Sequence, residues 1–214
     1  MNIIIPARMG SKGLPFKNRQ LFRATADTIP VEQKKKVWVT TDDPEIIRLT
    51  AEYGFNLIVR PSDLASDDAN IRDVMVHAVE VIELPAAADV VMLYLTYPQR
   101  AWNEIMNAFE YFQKFSEWDA TDSLLCRKQL ATSPYLMMLE SGWNKVYGTQ
   151  LIEHDLYRRQ DYPVCFEISH YISIFKVAAL QKLNKNMYCP STIFYPISDV
   201  IDVDTQKDLD LVRS

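Results

Sequence analysis

Residues 6–18, Pro6-Ala7-Arg8-Met9-Gly10-Ser11-Lys12-Gly13-Leu14-Pro15-Phe16-Lys17-Asn18, combine backbone freedom with positive charge. Two glycines and a serine let main-chain N–H groups turn toward an anion. Arg8, Lys12 and Lys17 surround that anion with cations, as a triphosphate requires. The same composition also describes a glycine-rich strand-to-helix loop with solvated lysines. The spacing is neither that of a Walker loop nor that of the Gly-x-Gly-x-x-Gly dinucleotide fingerprint. Near the other end, Asp202 and Asp204 stand two apart beside apolar residues, Val200-Ile201-Asp202-Val203-Asp204. On a strand that spacing turns both carboxylates to one face, where they can ligate one hard cation such as Mg²⁺ held through triphosphate oxygens. A solvated strand end or a helix cap has the same pattern. His77, His154 and His170 show no metal-ligand spacing, and His77 lies in an amphipathic helical pattern that suits a structural role. No Ser-His-Asp or Cys-His arrangement can be assembled. Cys126, Cys165 and Cys189 are odd in number and widely spaced, which fits reduced, mostly buried thiols outside the chemistry.

Strands and helices must hold these groups in place. Ile3-Ile4-Ile5, Val37-Trp38-Val39 and Val90-Val91-Met92-Leu93 are short apolar runs, the pattern of strands covered on both faces. Ile71, Val74, Met75, Ala78, Val79 and Ile82 recur at helical spacing. Asp43-Pro44 opens another helix, with Asp43 as cap and Pro44 in the first turn. The alternation predicts right-handed crossovers and a three-layer α/β/α fold with a mainly parallel sheet, its ligands outside the carboxyl ends of the strands. From about residue 127 to 165 the pattern loosens. Tyr135-Leu136-Met137-Met138-Leu139, a Ser141-Gly142 turn and a polar stretch with Trp143 and Tyr147 predict a hairpin and arm outside the main sheet, or a dimer contact. Core periodicity returns at Ile172, Ile174 and Phe175. A last strand over 200–203 is expected to feed a helix beginning near Thr205, capped by its hydroxyl, with Asp208 in the first turn.

The 214 residues suffice for one domain, 1–214, and the apolar and charged shares, 48% and 24%, are those of an ordinary folded chain. A net charge of −5 argues against a non-specific nucleic-acid binder. Lys34-Lys35-Lys36, the one dense basic run, reads as a solvated approach to the strand after it. No apolar run approaches the ~20 residues that a membrane span requires, and Met1 leads straight into Asn2-Ile3-Ile4-Ile5. A soluble, cytoplasmic protein with a small-molecule ligand is the expectation.

The loop resembles the opening signature of the acylneuraminate cytidylyltransferases, the CMP-sialic acid synthetase family: Ala-Arg-x-Gly-Ser-Lys-Gly-x-Pro-x-Lys-Asn. The resemblance implies nucleotide-binding roles for Arg8, Gly10, Ser11, Lys12 and Lys17, a base or ribose role for Asn18, and charge stabilisation at the α-phosphate by Lys17. Val39-Thr40-Thr41-Asp42-Asp43 and Arg60-Pro61-Ser62-Asp63-Leu64-Ala65-Ser66-Asp67 are similar to two further family segments, which puts Arg60 near the nucleotide. Arg159-Gln160-Asp161-Tyr162-Pro163 resembles the segment that leads into the sugar side, implying that Arg159 holds a substrate anion. Val200-Ile201-Asp202-Val203-Asp204-Thr205 is similar to the closing Ser-Ile-Asp-Ile-Asp-Thr, so the metal role carries to both aspartates. Membership would imply CMP transfer from CTP to the anomeric hydroxyl of a nine-carbon 2-keto acidic sugar, with release of pyrophosphate. Lys12, Lys17, Asp202 and Asp204 would be catalytic, Mg²⁺ the cofactor, and a homodimer would form through 127–165.

The resemblance thins on the acceptor side. Tyr94-Leu95-Thr96-Tyr97-Pro98-Gln99-Arg100 stands in place of Gln-Pro-Thr-Ser-Pro-Leu-Arg. Ser169-His170 stands where Asn-Gly is expected. The segment from Arg19 to Lys36 is shorter than the family's first crossover, which puts local packing in question. Tyr94, Thr96, Ser169 and His170 are thus the expected acceptor contacts. Their identities favour an acid other than N-acetylneuraminic acid: a legionaminic, pseudaminic or deoxyoctulosonic acid. A more distant acceptor, or a non-catalytic nucleotide- or sugar-binding relative, also fits the departures; retention of Lys17, Asp202 and Asp204 tells against the last.

Overall fold

Strand alternation sends Ile3 and Ile5 to one side of the sheet and Ile4 to the other, and all three are fully buried. That is the mark of a sheet covered on both faces. The computed structural model describes residues 1–10, 13–118, 120–141 and 147–213. Ser11 and Lys12 of the loop, and Gly142 and Trp143 of the expected hairpin, lie outside them.

The strands are β1 (Asn2–Pro6), β2 (Val37–Thr41), β3 (Asn56–Val59), β4 (Asp89–Met92), β5 (Ser123–Gln129), β6 (Met138–Ser141), β7 (Tyr147–Gln150), β8 (Phe166–Lys176) and β9 (Thr192–Pro196). Seven form the main sheet in the order β3-β2-β1-β4-β8-β5-β9. β3, β2, β1 and β4 pair in parallel, as do β5 and β9, while β8 runs antiparallel between β4 and β5. The helices are α1 (Lys17–Asp27), α2 (Pro44–Tyr53), α3 (Ser62–Ala65), α4 (Ile71–Ile82), α5 (Trp102–Trp118) and α6 (Gln206–Arg213). Phe22, Ile46, Ile105 and Leu209, from α1, α2, α5 and α6, pack with Ile3 and Ile5 on one face. Val74, Met75 and Ala78 of α4 pack with Ile4 on the other. The three layers follow.

The short first crossover still holds a helix. Leu21, Phe22, Thr25 and Ala26 of α1 are buried, and Phe22 meets the rings of Tyr53 and Phe55 at 5.8 and 6.3 Å between centroids. The lysine run ends a 3₁₀ turn, Val31–Lys36, with Lys35 and Lys36 exposed. Asp43 caps α2 by accepting from the Glu45 N–H at 2.9 Å, with Pro44 as first helical residue.

Two expectations are corrected. Residues 200–203 form no strand: β9 takes the sheet edge, and the segment crosses the carboxyl ends as extended chain, with the Val203 N–H donating to Thr96 O at 2.8 Å. Its apolar character is explained by Val203, which is fully buried. The helix after it starts as expected: Thr205 Oγ1 accepts from the Asp208 N–H, and the Asp208 carboxylate accepts from the Thr205 N–H. In the excursion, Pro134–Leu136 is a 3₁₀ turn rather than strand, because Ser133 Oγ captures the Tyr135 N–H; β6 starts at Met138 and pairs antiparallel with β7.

Candidate functional site

A cavity of about 360 Å³ opens where β1, β3 and β4 end, with residues 202–204 along one side. The loop after β1 is tied down by its neighbours. Ala7 N–H donates to Thr40 O at 2.9 Å, Thr41 Oγ1 donates to Ala7 O at 2.5 Å, and Met9 N–H donates to an Asp42 carboxylate oxygen at 2.8 Å. The Asn18 side-chain amide donates to Arg8 O at 2.8 Å, so its donor end braces the loop. Gly13 passes so close to the aspartate segment that a Cβ there would lie 2.5 Å from Asp204 O, and only glycine fits without a shift.

Three cations face this cavity. Lys17, the first residue of α1, is mostly buried and pairs with Asp204 at 2.6 Å. α1 has no acidic residue in its first turn, so the positive end of its dipole adds to Lys17. Arg8 pairs with Asp67 at 2.6 Å. Arg60 is 6% exposed, donates to Thr40 O at 2.8 Å, and forms no ion pair among the described residues. Burial lowers its pKa to about 10, so it remains a cation at neutral pH. Asp42 acts on it through space without forming an ion pair, and a buried cation so placed is a ready partner for an anion.

Opposite lie carboxylates and aromatic rings. The Tyr97 hydroxyl donates to Asp202 Oδ2 at 2.9 Å and sits 3.4 Å from Ser169 Oγ. The Tyr97 ring meets Tyr171 edge-on, and Tyr94 meets His170 likewise. Burial pushes both phenols well above their usual range and pulls His170 down, leaving a neutral imidazole at neutral pH. Arg100, fully enclosed behind the cavity, donates to Tyr94 O and Tyr171 O and so clamps the exit of β4 to β8.

Arg8, Gly10, Lys17, Asn18, Arg60, Tyr94, Thr96, His170, Asp202 and Asp204 thus line one cavity. Ser169 stands behind them, in an adjoining hollow of about 110 Å³ shared with Tyr97, His170 and Asp202. Arg159 is not among them. It lies in the 3₁₀ turn Arg159–Asp161 of the excursion and lines a separate concavity with Gln129, Thr132 and Tyr162. Its sequence motif specified a local turn; the path of the excursion carries it elsewhere. Ser11 and Lys12 lie outside the described residues. Thr41, Asp42 and Asp67 stood in the quoted motifs without a role of their own, and only the fold shows what they hold. Among the described residues no three His, Cys, Asp or Glu side chains cluster as a metal site. A cation here would take two carboxylates and draw its other ligands from phosphate and water, which suits Mg²⁺.

A cytidylyltransferase family model matches residues 2–135. The N-acylneuraminate cytidylyltransferase of Streptococcus agalactiae serotype III is 28% identical over 96% of this chain and 50% of its own length. The chain spans about half the length of such curated relatives. The CMP-N,N'-diacetyllegionaminic acid synthase of Legionella pneumophila is 28% identical over 96% of this chain and 91% of its own. The solved structure of CMP:2-keto-3-deoxy-manno-octonic acid synthetase complexed with CTP superposes with a TM-score of 0.68, covering 99% of this chain and 96% of that one at 16% identity. That last likeness is one of fold.

Proposed function

The chain belongs to the cytidylyltransferase family, and from that premise we propose that it joins CMP from CTP to the anomeric hydroxyl of a nine-carbon acidic 2-keto sugar of the sialic acid type. The observation that carries this reading is the gathering of Arg8, Lys17 and Arg60 with Asp202 and Asp204 around one cavity at the carboxyl ends of the strands. The anomeric hydroxyl gives up its proton to water, its oxygen attacks the α-phosphorus of CTP, a new P–O bond forms as the bond to the bridging oxygen breaks, and pyrophosphate leaves. No covalent enzyme intermediate is needed. Arg8 and Lys17 hold the triphosphate and, with the N-terminus of α1, stabilise charge that grows on it. Lys12, from the same loop motif, adds a further cation in this reading. Mg²⁺ held by Asp202 and Asp204 would supply further neutralisation of the phosphates.

Tyr94 and His170 stand where an acceptor would meet the cavity wall, with Thr96 between the two tyrosines. A pocket that lacks a partner for a substrate's polar group can discriminate by as much as ~10⁴. The chain accordingly prefers another acidic keto-sugar over N-acetylneuraminic acid. The full-length match to a diacetyllegionaminic acid synthase supports that preference. A homodimer through 127–165 and a cytoplasmic setting belong to the same reading. Exposed Met138, Leu139, Val164 and Phe166 support the first; among the described residues no helix is long and apolar enough to cross a membrane.

Steady-state kinetics with CTP, Mg²⁺ and a panel of acidic keto-sugars, products identified by mass spectrometry, test this. At least one CMP-sugar is expected, with N-acetylneuraminic acid not the best substrate by kcat/KM. No CMP-sugar from any acid would overturn the function; N-acetylneuraminic acid ranking first would overturn the acceptor reading alone.

A further inference from the structure

Asp202 lies on a segment with little backbone support. Residues 200–203 are outside the sheet, the Val203 N–H bond to Thr96 O is its main-chain tie there, and Asp202 is exposed. The direction of its carboxylate must therefore come from a side-chain contact, and the Tyr97 hydroxyl at 2.9 Å from Oδ2 is that contact. Tyr97 can impose a direction because it cannot move. Its ring is 5% exposed and packs edge-on against Tyr171 at 5.5 Å, and the Tyr171 hydroxyl is itself held by Glu104 at 2.7 Å. Ser169 Oγ, 3.4 Å from the Tyr97 hydroxyl, closes the far side. Serine is the residue expected at this place in the family signature, and a serine hydroxyl lacks the reach of a phenol.

We propose that Tyr97 is a positioning residue for the metal: its hydroxyl orients Asp202 as a ligand and thereby sets the cation affinity of the site. The inference rests on the reading of Asp202 as a metal ligand. A hydrogen bond from a fixed donor selects one carboxylate orientation in advance and leaves fewer to be lost when a cation binds. Removing such an outer partner commonly weakens metal binding by about 10–100-fold. Tyr97 touches neither phosphate nor sugar in this role; it acts through Asp202.

Mn²⁺ titration followed by electron paramagnetic resonance of the free ion reads the site without turnover. Three proteins are compared: the unaltered chain, Tyr97→Phe and Asp202→Asn. Phenylalanine keeps the buried ring and removes only the hydroxyl, so a packing role would leave metal affinity unmoved. The expected result is a Kd for Mn²⁺ raised about 10-fold or more in Tyr97→Phe, with the thermal unfolding midpoint retained and the site lost in Asp202→Asn. A Kd within twofold of the unaltered protein in Tyr97→Phe, with the site lost in Asp202→Asn, overturns the inference and leaves the metal reading standing. Unaltered binding in both variants removes Asp202 from the metal site, and the role of Tyr97 with it.

Discussion

Asp204 is touched from two sides: Lys17 pairs with its carboxylate at 2.6 Å, and Gly13 passes against its carbonyl. Its side chain is nonetheless 68% exposed, so it contributes little to stability and can meet a ligand in the cavity. Asp204→Asn removes one ligand charge and leaves the shape. Turnover is expected to fall about 10²–10³-fold, the scale of losing one charge-stabilising group at a reacting centre, while the unfolding free energy stays within ~0.5 kcal/mol. Mg²⁺-dependent kinetics beside a urea melt check both halves, and unchanged turnover would remove Asp204 from the mechanism. At this scale the sequence was informative where chemistry is local. Gly13, Lys17 and Asn18 are close in the chain, and the structure holds all three at one loop, against Asp204 and Arg8. The sequence was silent on partners far apart: Tyr97 and Asp202 are 105 residues apart, and Arg8 and Asp67 are 59 apart. No periodicity links such pairs.

Between elements, the joint that matters most is the clamp at Arg100. β4 exits into residues 94–97, which bear Tyr94, Thr96 and Tyr97 of the cavity wall, and β8 carries Ser169 and His170. Arg100 donates to Tyr94 O on the first and Tyr171 O on the second. Burial lowers its pKa to about 10, yet it stays charged at neutral pH, with its guanidinium 5.6 Å from the Tyr171 ring centre. Arg100→Met fills similar space but leaves two buried carbonyls unpaired. The expected cost is about 2–4 kcal/mol, read as a lower urea midpoint with unchanged slope; a loss below ~0.5 kcal/mol would mean that the clamp does not hold the joint. Arg100 matches the family motif, but no local pattern shows that it points inward. Caps were easier to read: Asp43-Pro44 and Thr205 with Asp208 start helices where expected, because capping is settled within a few residues. The strand expected at 200–203 failed because the segment crosses the carboxyl ends of the strands, tied through the Val203 N–H to Thr96 O, rather than running beside one of them. Arg159 lies apart from the cavity of this chain for a related reason, since no local pattern fixes where an excursion travels.

Across the whole molecule, a chain of net charge −5 concentrates Arg8, Lys17 and Arg60 at one cavity. Such focusing suits a small polyanion, and a net negative charge does not favour an extended nucleic acid. In the proposed function, phosphates would compete with Asp67 for Arg8 and with Asp204 for Lys17, exchanging one set of charge contacts for another. The parallel strands and both covered faces were legible from apolar runs alternating with helical spacing, whereas the strand order and the antiparallel insertion of β8 between β4 and β5 were not, being choices of tertiary pairing. The claim that unites these scales is transfer of a cytidylyl group to an acidic sugar. Continuous measurement of pyrophosphate release with Mg²⁺, supplying CTP, ATP, GTP or UTP with and without the panel of acidic keto-sugars, tests it most directly. The account predicts release with CTP that requires an acidic sugar and exceeds that with the other three nucleotides. Equal release from all four nucleotides, or no acid-dependent release from CTP, would contradict it.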